Sequence, residues 1–127
     1  MFELIRIENA RLNVPEPVCY ETSEAEISIG QALVLTDGKL AACGADKPQF
    51  IAMSAKKEND LVAVCRVESN QLYEVPVSAA PTYLKVGAKV TLEADGLQVT
   101  ATTADGVAEI VNLNGAKAIG DKIVVRF

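Results

Sequence analysis

The chain has 127 residues, a formal net charge of −5 and no histidine. That length suits one domain with its own apolar core. The lack of histidine excludes Ser-His-Asp and Cys-His catalysis and any histidine-ligated zinc. Because the chain is acidic and its twelve Lys and Arg are scattered, we expect neither nucleic acid nor an anionic membrane surface as a partner.

The first 28 residues form the least regular part of the sequence. They lack the basic and apolar regions of a signal peptide, and no apolar run in the chain approaches the roughly twenty residues of a transmembrane helix. The sequence therefore predicts a cytoplasmic site of synthesis. Pro15 and Pro17 disfavour helix, so an extended N-terminal arm is predicted for residues 1–28.

The rest of the chain, 29–127, is predicted to be a single β domain built from two degenerate copies of one pattern. The copies are 29–67 and 86–127, joined by a linker strand within 68–85. The offset between matching residues changes only where turn residues intervene, as expected when insertions fall in loops. Both copies also end on matching arginines, Arg66 and Arg126. A true duplication is favoured over the alternative that any two β-hairpin segments share such turn residues.

Each copy is predicted to contain four short strands. Asp-Gly between apolar runs favours a two-residue type I′ hairpin, and the period-two alternation after residue 86 is typical of strands with one buried face. The sequence therefore predicts an all-β fold, either a small β-barrel or a sandwich. The residues assigned to its structural turns are Gly30, Asp37, Gly38, Gly87, Asp95 and Gly96.

Copy one is apolar on both faces of its strands, notably over residues 61–65. Such strands are typically covered on both sides, either by the chain itself or by a partner subunit. This pattern predicts self-association, as a trimer. For the arginines, protection of an edge strand is favoured over pairing with carboxylates or an anionic partner. The residues proposed for partner contact are Val62, Val64, Arg66, Val124, Arg126, Pro15 and Pro17.

No group of residues predicts a catalytic, cofactor or metal site, so the chain is not expected to be an enzyme. The three cysteines are odd in number and lack CxxC spacing, which favours buried, inert thiols. A cluster of glutamates offers oxygen ligands for calcium, but its spacing fits no known loop and a solvated acidic strip is favoured. These residues are Cys19, Cys43 and Cys65, and Glu16, Glu21, Glu24 and Glu26.

Residues 33–52 combine an apolar strand, Asp37-Gly38 before Lys39-Leu40, two alanines, Gly44, and Pro48 before an aromatic-Ile-Ala strand. With the later TATTADG and DKIVVRF segments, this resembles the small head decoration, or cement, proteins of tailed bacteriophages and prophages. The resemblance implies a non-enzymatic virion protein that binds the major capsid protein lattice, commonly as a trimer. A small-ligand or carbohydrate-binding β module and an SH3-like adaptor are the alternatives.

Overall fold

Antiparallel strands dominate the residues that the computed structural model describes, 1–11 and 14–127. Short alternating apolar stretches separated by Gly, Asp and Asn turns account for this. Within the described ranges there are ten strands and no helix. They are β1 (Glu3–Ile7), β2 (Pro17–Glu21), β3 (Ala32–Thr36), β4 (Lys39–Ala42), β5 (Phe50–Ala52), β6 (Leu61–Arg66), β7 (Gln71–Pro76), β8 (Lys89–Val90), β9 (Ala108–Asn112) and β10 (Lys122–Arg126).

The strands form two five-stranded antiparallel sheets. Sheet A has the order β1-β7-β10-β9-β8, and sheet B has the order β2-β6-β5-β3-β4. The main apolar cluster lies between the sheets and draws side chains from both. The predicted all-β fold is confirmed, and of its two forms the structure adopts the sandwich rather than a closed barrel.

The first 28 residues, predicted to be an extended arm, supply one strand to each sheet. Strand β1 pairs with β7 in sheet A, with Glu3 opposite Glu74. Strand β2 pairs with β6 in sheet B, with Pro17 opposite Cys65. The extended conformation that the prolines favour is present at β2, but it is held by ladder hydrogen bonds. The reason is that β6 and β7 would otherwise expose an unpaired edge.

The two copies of the sequence pattern lie in different sheets. Strands β3 to β6 of copy one are all in sheet B, and β8 to β10 of copy two are all in sheet A. The duplication stays a prediction, which the common register of the last two strands in each copy supports. That register pairs Phe50 with Arg66 and Ile51 with Cys65 in sheet B, and Glu109 with Arg126 and Ile110 with Val125 in sheet A.

Only the first of the two predicted type I′ hairpins has the expected conformation. Asp37 and Gly38 both have positive φ, 51° and 77°, and connect β3 directly to β4. In copy two the additional residue lengthens the loop, and only Gly96 has positive φ. There the Gly96 amide donates to the Glu93 carbonyl at 2.9 Å, and the segments on either side of the loop form only an isolated bridge, Leu92 to Val99. The prediction of a fourth full strand in copy two is therefore wrong.

Sheet B is buried on both faces, as the apolar runs of copy one predicted. Ile51 and Cys65 face the main cluster between the sheets. On the opposite face a second cluster contains Phe50 and Val64 and is covered by Ile27. The sheet curls over this second cluster, and Thr22, just after β2, forms a bridge to Leu40 of β4. The cover is therefore supplied by the chain itself, and no partner subunit is needed to bury these strands.

Candidate interaction surface

The segment that precedes β1 is fixed in the space between the two sheets. The Phe2 amide donates to the Gly30 carbonyl at 2.8 Å, and the Gly30 amide donates to the Ala52 carbonyl at 2.8 Å. The Phe2 ring is 2% exposed and lies 5.4 Å from the ring of Phe127 and 6.3 Å from that of Tyr73, measured between centroids. Residue 30 must be glycine, because a Cβ there would lie 2.6 Å from the Met1 Cβ.

Beside this anchor an apolar groove of about 300 Å³ opens to solvent. Its floor includes Ile51, Cys65 and Tyr73, and Pro15 lies along it. The rim exposes three large aliphatic side chains: Met1 (50% exposed), Ile29 (53%) and Met53 (38%). Sequence reasoning missed this groove. Ile29 and Met53 directly flank strand patterns without continuing the alternation, and that was the only signal in the sequence.

The two matching arginines have different environments. Arg126 lies between Glu8 at 3.4 Å and Glu109 at 3.5 Å. Arg66 instead has its guanidinium carbon 5.4 Å from the centre of the Phe50 ring, because phenylalanine occupies the position that Glu109 holds in copy two. Both arginines lie on strands flanked by two neighbours, so protection of an edge strand is wrong for both. For Arg126, pairing with carboxylates is what the structure shows.

A chain of buried polar contacts links the two sheets below the groove. The Tyr73 hydroxyl donates to Gln71 Oε1 at 2.7 Å and lies 3.6 Å from Cys65 Sγ. Gln71 Nε2 in turn donates to the Arg66 carbonyl at 3.0 Å. Burial raises the pKa of Tyr73, so the phenol stays neutral at every physiological pH. These contacts order the crossover from β6 to β7. We interpret them as structural, because Cys65, Gln71 and Tyr73 are all buried.

The three thiols are free, and they differ in exposure. Cys43 and Cys65 are buried, as predicted, whereas Cys19 on β2 is exposed, so the prediction is wrong for Cys19. The reason is that β2 is an edge strand and its outward face has no covering layer. Burial also raises the pKa of the Cys43 thiol to about 11.

This difference predicts the thiol chemistry of the native protein. With a disulfide-exchange reagent at pH 8, we expect Cys19 to react rapidly and Cys43 and Cys65 to react only after unfolding, because only a thiolate attacks and because the buried thiols are covered. Since its pKa is raised, Cys43 stays protonated until the pH approaches about 11. The absorbance of the thiol released from the reagent gives the number of cysteines that have reacted. Rapid reaction of a second cysteine in the native protein would contradict the expectation.

The residues proposed for partner contact are not gathered on one surface. Val62 and Val64 are fully buried in the second cluster, and Val124 is 6% exposed, so these three side chains do not form a contact surface. Val62 and Val64 are covered because sheet B curls over its own apolar face, and Val124 lies between Glu74 and Asn112 of the two neighbouring strands. Of the others, Arg126 is engaged in ion pairs, while Pro15, Pro17 and Arg66 lie around the start of β2.

Strand β2 lies at one edge of sheet B, and four of its five residues are exposed. Pro17, Val18, Cys19 and Glu21 are all exposed, and only Tyr20 is half-buried, against the Phe50 ring at 5.1 Å between centroids. Of the predicted turn residues, Gly30 lies beside the groove, and Asp37 and Gly38 form the hairpin between β3 and β4. The groove, Pro15 and the β2 edge adjoin one another and constitute the candidate interaction surface.

Residues 1–11 and 14–127 contain no group of three or more acidic or cysteine side chains placed to hold a metal ion. In the same part of the chain, no helix is long and apolar enough to cross a membrane. Comparison of the chain with protein-family models and with curated protein sequences gives no match.

Proposed function

We propose that this chain is a structural decoration protein of a phage or prophage head, which binds the major capsid protein lattice and stabilises it. The observation that carries the proposal is the open edge of β2 next to an apolar groove. An exposed edge accepts an added strand through backbone hydrogen bonds, and a neighbouring apolar recess gives the added strand an anchor. The resemblance of residues 33–52 to cement proteins supplies the identity of the partner.

A trimer at the lattice belongs to the same proposal, and it is supported by the resemblance alone. The doubly apolar strands that suggested self-association are covered within one chain, by sheet A on one face and by the second cluster on the other. Three copies would therefore meet through exposed surface, such as the groove rim, and would gain stability from the lattice that orients them.

The chemistry of the groove favours protein contact over a small-ligand or carbohydrate module. Its volume of about 300 Å³ is at the lower end of the range for small-molecule sites. Its lining is largely aliphatic, and no tryptophan is present in the chain to stack on a sugar ring. Flexible methionines at the rim suit contact with an apolar side chain of another protein.

Capsids purified from the prophage that encodes this chain, with and without deletion of its gene, test the proposal. We expect added protein to bind the deficient expanded capsids at regular lattice positions seen by electron cryomicroscopy, and to raise the temperature at which they rupture. Failure to bind, with capsids that are already expanded and intact, would overturn the proposed function.

A further inference from the structure

The edges formed by the first two strands of the chain differ in how their charges are paired. At the β1 edge, Glu3 lies 3.7 Å from Lys122, and Glu8, just after the strand, lies 3.4 Å from Arg126. At the β2 edge, Glu16 and Glu21 are exposed, and no cation within residues 1–11 and 14–127 lies within 4.0 Å of either carboxylate. The carboxylates at the β1 edge are therefore in ion pairs with cations of the chain. Those at the β2 edge form no such pair, although Arg66 lines the same recess as Glu16 and the bridge from Thr22 to Leu40 brings Lys39 near Glu21.

The backbone of β2 is also open on its outer side. In the ladder the strand pairs with β6 alone, and β4 lies beside only its C-terminal end, next to the bridge from Thr22 to Leu40. Since β4 begins at Lys39, residues 17–20 extend beyond it with no strand of the described chain on that side. Alternate amides and carbonyls of an antiparallel edge strand point outward, so they are available to another strand.

Pairing of β2 with the β2 of a second copy is electrostatically unfavourable. An antiparallel pair centred on Cys19 would place Glu21 of one copy opposite Pro17 of the other, and Glu16 opposite Thr22. Four carboxylates would then lie along one strand pair and repel one another. The whole chain carries a net charge of −5, which adds to the repulsion between two copies. The charges that prevent self-pairing favour a strand of opposite sign.

We propose that β2 binds an extended strand of another polypeptide that carries Lys or Arg facing Glu16 and Glu21. The inference rests on the proposed function in taking that polypeptide to be a capsid subunit, and it adds the chemistry of the segment recognised. Backbone hydrogen bonds supply the pairing, and the two carboxylates select a basic strand over an acidic one. Val18, 36% exposed between the two glutamates, gives the added strand an apolar contact.

The test uses the isolated protein labelled with ¹⁵N and a blocked synthetic peptide of about eight residues. The peptide alternates threonine and valine and carries two lysines at the same separation as Glu16 and Glu21. We expect chemical-shift changes and slower amide hydrogen exchange at β2, weakened by added salt. The same peptide with glutamate in place of lysine should not bind. Shift changes spread over other surfaces, or equal binding of both peptides, would overturn the inference.

The double variant Glu16→Gln, Glu21→Gln should weaken binding of the lysine peptide about fivefold, since each exposed ion pair contributes a fraction of a kcal/mol. The double variant Asp46→Asn, Asp105→Asn changes the net charge equally at exposed positions away from β2 and should bind as the parent does. Equal weakening in both variants would show a general charge effect and overturn the inference.

The same variants on capsids separate this inference from the proposed function. Peptide binding without capsid binding would overturn the proposed function alone. Capsid binding that is unchanged by the Glu16 and Glu21 substitutions and by salt would overturn the inference alone.

Discussion

Gly106→Ala is expected to destabilise the protein by about 3 kcal/mol or more, among the largest effects of any single substitution in this chain. A Cβ at this position would overlap the Lys89 carbonyl and lie 2.7 Å from the Val90 amide nitrogen. Backbone atoms of β8 cannot move aside without breaking their pairing with β9. The melting temperature should therefore fall by about 10 °C or more, measured by calorimetry or circular dichroism.

Gly115→Ala is the matched control for Gly106→Ala. Gly115 has a φ of 71°, but nothing lies within 4 Å of the Cβ that the substitution would add. It should cost only about 1 kcal/mol, the usual penalty for alanine in the left-handed region. If the two variants lose equal stability, the close approach of Gly106 to β8 is not what makes that glycine necessary.

Phe2→Ala is expected to cost about 3–5 kcal/mol, the usual range for removing a buried phenylalanine ring. The ring is 2% exposed and contacts those of Tyr73 and Phe127, so its loss leaves a cavity between the sheets. Since Phe2 directly precedes β1, we also expect faster amide exchange along Glu3–Ile7. Urea unfolding measures the first effect, and hydrogen exchange measures the second.

Ile5→Ala on the same strand should cost well under 1 kcal/mol, because Ile5 is 41% exposed at the bulge of β1. A large loss from Ile5→Ala with a small loss from Phe2→Ala would mean that β1 is held by its outer face rather than by the buried ring.

The sequence carried enough information for the fold class and for the hairpin at Asp37-Gly38, because local turn chemistry and alternation determine them. It did not indicate that the first 28 residues supply a strand to each sheet. Whether an extended segment such as Pro17–Glu21 is free or paired depends on β6, whose paired residues are 40 or more positions away. The sequence predicts that Val62 and Val64 are covered, but not by what: their cover comes from the curl of sheet B and from Ile27, which no local pattern encodes.

The candidate interaction surface, too, could be predicted only in part from the sequence. The exposed glutamates around β2 were recognised as an acidic strip, but their lack of cations became visible only beside the ion pairs of Glu3 and Glu8. Cys19 was grouped with the buried cysteines because its neighbours in sequence are apolar. Exposure depends on whether the strand lies at an edge, and strand order is a property of long-range pairing.

The arrangement of strands also has a consequence for folding on the ribosome. Sheet B and its second cluster use only strands between Pro17 and Arg66. In sheet A, β1 can pair only after β7 has been synthesised, and the other side of β7 can pair only after β10, at Lys122–Arg126, has been synthesised. We therefore expect sheet B to form while the rest of the chain is still being translated. The two sheets are then assembled in sequence, because long-range pairing closes slowly and partly made domains fold as they emerge.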